Sequence, residues 1–241
     1  MDKDLSVLEP ARQLLALLIR LHDREVDNEL LTGLHGIDAE MFFGAVLENT
    51  EVAREFGKAL AGLSQPRDEA TLDELAAEYA DVYLTHSYRL APTGSVWLTQ
   101  EKLERQEPMF AVREWYEHYG VTVPNWRVRS DDHIVHELQF VEHLLGLGTE
   151  TASRDAARFL DRHVLVWVPQ FCSLMAARCR QPLLSVGAKL TALYLEALRD
   201  LLQELTGEER WVPKEDEKVE PYSLTELAED IAYVPGVAES W

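Results

Sequence analysis

The chain has 241 residues, 46% hydrophobic and 27% charged, with 43 acidic against 23 basic side chains and a net charge of −20. That size and balance suit one hydrophobic core in an ordinary globule. A field of this sign repels phosphate backbones and draws basic segments, which argues against nucleic acid and for a Lys/Arg-bearing peptide as partner.

Apolar residues recur at helical rather than strand spacing, beginning with the stripe Leu14, Leu17, Leu18 and Leu21. The apolar run Leu14 to Ile19 lies between Arg12 and Arg20. It is too short for a bilayer and has no basic leader before it, so neither an anchor nor an export signal is expected and the cytoplasm is the expected compartment. A stripe of Met41, Ala45 and Leu47 follows the break at Gly33 and Gly36. The next helix starts near Asn49-Thr50, runs through Ala59 and stops at Ser64-Gln65-Pro66. Leu72, Leu75, Ala76, Tyr79, Val82 and Tyr83 describe another.

The pattern lapses from Ser87 to Leu98, where Pro92-Thr93-Gly94 marks a loop carrying Trp97, and loops on a rigid scaffold commonly carry function. Helical spacing resumes from Pro108 to Tyr119 and stops at Gly120. A second loop, Val121 to Arg129, leads to an acidic helix start at Asp131 whose stripe is Ile134, Leu138, Val141 and Leu145, ended by Gly146 and Gly148. Thr151 to Cys179 reads as helix interrupted at Pro169. Leu183 to Leu205, with Leu190, Tyr194, Ala197, Leu201 and Leu205 in line, is wide enough in its apolar face to be central to a bundle.

The sequence thus predicts an all-α, single-domain helical bundle over 1–207. Residues 208–241 hold ten acidic and three basic side chains and read as an acidic, peripheral or partly disordered tail. Within it, Ser223 to Ala232 could form a short helix, and Tyr222, Ile231, Tyr233 and Trp241 could pin the tail to the body. Cys172 and Cys179 lie about two helical turns apart, roughly 10 Å, too far to bridge, which fits a reducing compartment.

Three chemistries compete for the ionisable groups near residue 133. His133, His136 and Glu137 could support a metal-dependent hydrolase, but the histidines are three apart where the zinc helix needs four. Ser95 with His133 and Asp132 lacks the second glycine of a nucleophile elbow. Asp131 and Asp132 suit a helix N-terminus, where one carboxylate caps free amides and the other is left exposed to accept bonds from an incoming arginine. No phosphate-cradling glycine loop is present.

Four stretches taken in order carry a resemblance. They are Glu78-Tyr79-x-x-Val82-Tyr83; Pro92-x-Gly94-Ser95-Val96-Trp97-Leu98 with Glu107-Pro108 and Tyr119-Gly120 after it; Ser130-Asp131-Asp132-His133-Ile134-x-x-Glu137-Leu138; and Trp167-x-Pro169-x-Phe171. Together they resemble the TorD/DmsD/NarJ family of redox-enzyme maturation chaperones, over roughly Leu14 to Leu205. Ser130, Tyr83 and Thr93 depart from the residues frequent at those places in the family.

The resemblance implies a cytosolic, non-enzymatic chaperone for the catalytic subunit of a molybdenum-containing oxidoreductase. Such a chaperone binds the subunit's twin-arginine signal peptide, favours cofactor insertion and delays export. It implies a client-binding set of Tyr79, Val82, Tyr83, Pro92, Ser95, Trp97, Asp132 and His133, meeting as one acidic, aromatic-walled cleft. It implies no resident cofactor or metal, weak guanine-nucleotide or molybdopterin binding in some relatives, and a monomer or helix-swapped dimer. A general helical adaptor without leader specificity is the remaining alternative.

Overall fold

A computed structural model describes residues 5–63, 69–85 and 87–213. Among these residues the α-helices are α1 (Leu8–Asp23), α2 (Asn28–His35), α3 (Ala39–Phe43), α4 (Glu51–Ala61), α5 (Glu69–Tyr83), α6 (Gly94–Leu98), α7 (Glu107–His118), α8 (Ile134–Gly146), α9 (Glu150–Phe159), α10 (Val168–Arg178) and α11 (Pro182–Thr206). A π turn, Leu160–Val164, joins α9 towards α10. The described residues contain no strand, only an isolated bridge between Thr93 and His133.

The 25-residue α11 is the axis of the bundle, with α10, α4, α9 and α1 packed around it. Its buried line is Leu183, Leu184, Gly187, Leu190, Thr191, Tyr194, Leu195, Leu198 and Leu202, a helical repeat displaced from the expected line, in which Ala197, Leu201 and Leu205 are only partly buried. Gly187 faces Leu21 of α1 and Phe56 of α4, and a Cβ there would meet them at 3.5 and 3.9 Å, ordinary contact distances. Leu8, Ala11, Leu14, Leu15 and Leu18 give α1 its buried stripe, and α8 packs between α1 and α9 on Ile134, Leu138, Val141 and Leu145.

The ends of α11 show how side chains fix the helix. Buried Glu78 of α5 accepts the amides of Arg180 and Gln181 at 2.7 and 3.1 Å, placing a carboxylate at the positive end of the dipole. Gly207 closes the other end at φ +72°, a left-handed turn that suits glycine. Glu78 also accepts the Tyr88 hydroxyl at 2.7 Å.

Several expectations change. Met41 is 77% exposed, while Phe43 and Leu47 bury the short α3 segment. The stretch read as loop before Leu98 winds into the one-turn α6. The interruption expected at Pro169 is present, a π turn and the turn 165–167 separating α9 from α10, and Pro169 begins the new helix in its first turn, where its missing N–H costs no helix bond. The packed body continues past 207, since Glu208 pairs with Arg158 at 2.7 Å and the Trp211 amide donates to Asp161 at 2.9 Å. The remainder of the tail, 214–241, with its expected short helix and anchoring aromatics, lies outside the described residues. None of the described helices is long and apolar enough to cross a membrane.

Candidate functional site

The loop before α6 and the turn before α8 are sewn together by their backbones. The Gly94 amide donates to the Asp132 carbonyl at 2.8 Å, and the Ile134 amide to the Pro92 carbonyl at 2.9 Å. The Asp132 side chain completes the seam. One carboxylate oxygen accepts the Ser95 amide at 2.7 Å and the Ser95 hydroxyl at 2.5 Å, and the other accepts the Ser130 hydroxyl at 2.6 Å. Ser95 Oγ in turn accepts the Gln106 amide at 3.1 Å, which ties the start of α7 to the same point. Asp132 and Ser95 are fully buried.

This arrangement corrects the expected helix start. α8 begins at Ile134, and its cap is His133, whose Nδ1 accepts the Val135 amide at 3.2 Å. Neither aspartate is the exposed acid that sequence reasoning assigned. Asp131 is buried and pairs with Arg113 at 2.9 Å, while Asp132 is spent on the seam.

Behind the seam lies a second buried layer. Trp167 Nε1 donates to Glu137 at 3.0 Å, and Trp167 stacks on Trp97 while meeting Phe171 edge to face. Gly94 has to be small here, since a Cβ would come within 3.1 Å of Trp167 Nε1. Burial, and after it the negative charge of Asp132, hold the Glu137 carboxyl well above the usual carboxylate range. Trp97 anchors itself by donating to the Ala91 carbonyl at 2.7 Å.

The aromatic residues of α5 face the end of α1. Tyr79 donates to the Asp23 carbonyl at 2.8 Å and stacks on Tyr83, whose hydroxyl meets His22 Nδ1. His22 Nε2 meets Thr191 Oγ1 at 2.9 Å, and because the Thr191 hydroxyl donates onward to Gly187, Nε2 is the protonated ring nitrogen in this contact. Burial pushes the His22 pKa down to about 4.

Two hollows open beside the seam. One, of about 310 Å³, is lined by Tyr79, Tyr83, Pro92, Thr93 and His133, with Glu104, Arg105 and Arg129 among its charged walls. The other, of about 490 Å³, is lined by Trp97, Leu98, Pro108, Val166 and Trp211, with Glu107, Asp161, Glu196 and Arg210 among its charged walls. The expected single cleft is therefore divided. Tyr79, Tyr83, Pro92 and His133 share the first hollow and Trp97 lines the second. Val82, Ser95 and Asp132 line neither and are 0% exposed.

The acid expected of the first hollow is offset by two arginines, of which Arg129 pairs with Asp23 at 2.5 Å. For the metal alternative, the rings of His133 and His136 are 6.1 Å apart, but Glu137 is engaged by Trp167. Among the described residues no three His, Cys, Asp or Glu side chains are grouped to hold a metal. Glu137 and Trp167 stand in separate motifs of the sequence, and neither motif signals that the two side chains pair. Arg210 and Trp211 follow the composition change at Gly207 and so fall in the stretch expected to be tail.

Residues 49–173, which include the seam and the Trp167–Phe171 layer, match the family described as "Nitrate reductase delta subunit". Over 224 residues the chain is 26% identical to "Chaperone protein TorD" of Vibrio cholerae, covering 86% of this chain and 99% of the relative. A protein of the same name from Shewanella loihica is 27% identical over 186 residues, 74% of this chain and 86% of the relative. Another from Aliivibrio fischeri is 25% identical over 202 residues, 79% and 92% of the two chains.

Proposed function

The chain belongs to the nitrate reductase delta subunit family, the TorD/NarJ group, and from that premise we propose that it is a maturation chaperone for a molybdenum-containing oxidoreductase, one that captures the twin-arginine leader of the catalytic subunit before export. Support comes from near full-length similarity to proteins named as chaperones and from the site itself. The observation that carries the reading is the Asp132–Ser95 seam, which brings two distant motifs together and opens an aromatic-walled hollow on each end of the 92–98 loop.

In this mechanism the motif residues have two duties. Asp132, Ser95, Val82, Glu137 and Trp167 are positioning residues, buried and mutually satisfied, that hold the loop in place. Tyr79, Tyr83, Pro92, Trp97 and His133 are buried as well, but they edge the two hollows and supply the ring surface that a guest meets there. Apolar leader residues gain by leaving water, and the leader's basic pair is drawn by the net charge of −20. Binding is reversible, with no chemical turnover, and takes place in the cytoplasm.

The test is a titration of a twin-arginine leader peptide against its Lys-Lys variant. Guanidinium forks pair with carboxylates bidentately and ammonium groups do not, so the account expects a loss of about tenfold or more. Equal affinity for the two peptides would instead favour a general acidic adaptor.

A further inference from the structure

The wall of the Trp97 hollow is formed in part by the segment after α11, Arg210-Trp211-Val212-Pro213. Its order of chemistry is a guanidinium followed directly by apolar side chains. The Arg210 guanidinium is seated on two carboxylates of α11, Glu196 at 2.6 Å and Asp200 at 3.2 Å. Trp211, Val212 and Pro213 then line the hollow that Trp97, Leu98 and Pro108 line from the opposite chain segments.

The way the segment is held sets it apart from the rest of the body. Its root is fixed, since buried Arg199 pairs with buried Asp161 at 2.7 and 2.8 Å, and the same Arg199 Nη2 also donates to the Glu208 carbonyl at 3.2 Å while Asp161 Oδ2 also accepts the Trp211 amide at 2.9 Å. Its side chains are not fixed in that sense. Trp211 is 39% and Val212 66% exposed, and the carboxylates that hold Arg210 are open to water. Exposed ion pairs of this kind contribute little and are screened by salt. A wall with a buried root and weakly held side chains is one that a competitor can displace.

We propose that Arg210–Pro213 occupies, in cis, the subsite for the basic–apolar junction of the leader. An incoming leader arginine takes Glu196 and Asp200, and the apolar residues after it replace Trp211 and Val212 against Trp97. The partner chemistry follows from what already sits there: a guanidinium between two carboxylates, beside a hollow of about 490 Å³ walled by both apolar and charged side chains. The hollow beside His133 sets Glu104 alone against Arg105 and Arg129, whereas the Trp97 hollow sets Glu107, Asp161 and Glu196 against Arg162, His163 and Arg210. The cis segment lowers apparent affinity by the fraction of time that it fills the subsite, so only a guest carrying both arginine and apolar residues displaces it efficiently.

This inference rests on the leader-binding reading, and the experiment separates the two. A synthetic peptide with an Arg-Arg pair ahead of an apolar run, and its Lys-Lys counterpart, are titrated against the full chain, the Arg210→Ala/Trp211→Ala variant, and that variant with Glu196→Gln/Asp200→Asn added. Far-UV circular dichroism and thermal melting are followed alongside, and Arg210→Ala alone serves as the milder variant should the double change unfold the chain.

Removing the segment should raise affinity for the Arg-Arg peptide several-fold, by the inverse of the fraction of time that the subsite stands open. Adding the Glu196 and Asp200 changes should abolish the preference for Arg over Lys. Unchanged or weaker binding by the Arg210/Trp211 variant, with the wild-type chain still preferring Arg-Arg, overturns the cis-occupancy inference and leaves the chaperone reading standing. If neither protein distinguishes the two peptides, the leader-binding reading itself fails, and the inference with it.

Discussion

The seam around Asp132 and the segment after α11 are both held by carboxylates, yet they differ in water. Asp132 and Ser95 are 0% exposed and every carboxylate bond is internal, whereas the Glu196 and Asp200 side chains are 43% and 72% exposed around Arg210. A buried acceptor cannot lose its donors without a desolvation penalty, while an exposed pair exchanges with solvent at a cost of about 0–1 kcal/mol. The first region is therefore fixed architecture and the second an exchangeable contact, although sequence motifs draw attention only to the first.

The sharpest way to break the contrast is Trp167→Ala. It removes the ring stacked on Trp97 and packed on Phe171, and leaves buried Glu137 without its indole donor. The expected cost is about 3–5 kcal/mol, read from the denaturant midpoint at unchanged slope. A smaller cost would mean that the layer behind the seam is loosely packed.

A second effect comes from His22 beneath the α5 aromatics. The unfolded chain takes up a proton near pH 6.5, whereas the folded imidazole, between Tyr83 and Thr191, resists protonation until about 4. Its contribution is therefore full above 6.5 and is lost as pH falls towards 4, by about 3 kcal/mol in all. Stability-against-pH curves of wild type and His22→Asn should diverge over that window, and parallel curves would contradict the assignment. The smallest effect is expected from Arg210→Ala, about 1 kcal/mol or less of stability, because its pairs are exposed.

The bundle was legible in the sequence because helical periodicity is a local signal. The stripes of α8 and of the helix ending at Tyr83 fall on buried faces, as Leu138, Val141, Leu75 and Val82 show. Single-turn elements were not legible, since α3 and α6 have five residues each and their form is set by neighbours. The same holds for the polar residues. Asp132 at the start of an apolar stripe looks like a cap, and only the arrival of Ser95 from 37 residues upstream turns it into a buried acceptor. Arg210 and Trp211 were hidden by their acidic surroundings, because composition averages over a segment while a docking contact is made by two side chains.

The central claim is that Asp132 positions the loop and does not touch the guest. Asp132→Asn keeps the shape but replaces one accepting oxygen with an amide that faces the hydroxyl or amide donors of Ser95 and Ser130. Thermal and chemical denaturation, together with leader-peptide titration at a temperature where the variant is fully folded, measures both consequences on one protein. The account predicts a stability loss of roughly 1–3 kcal/mol with affinity within about threefold of wild type. Unchanged stability with leader binding abolished would contradict it and return Asp132 to the role of a direct ligand.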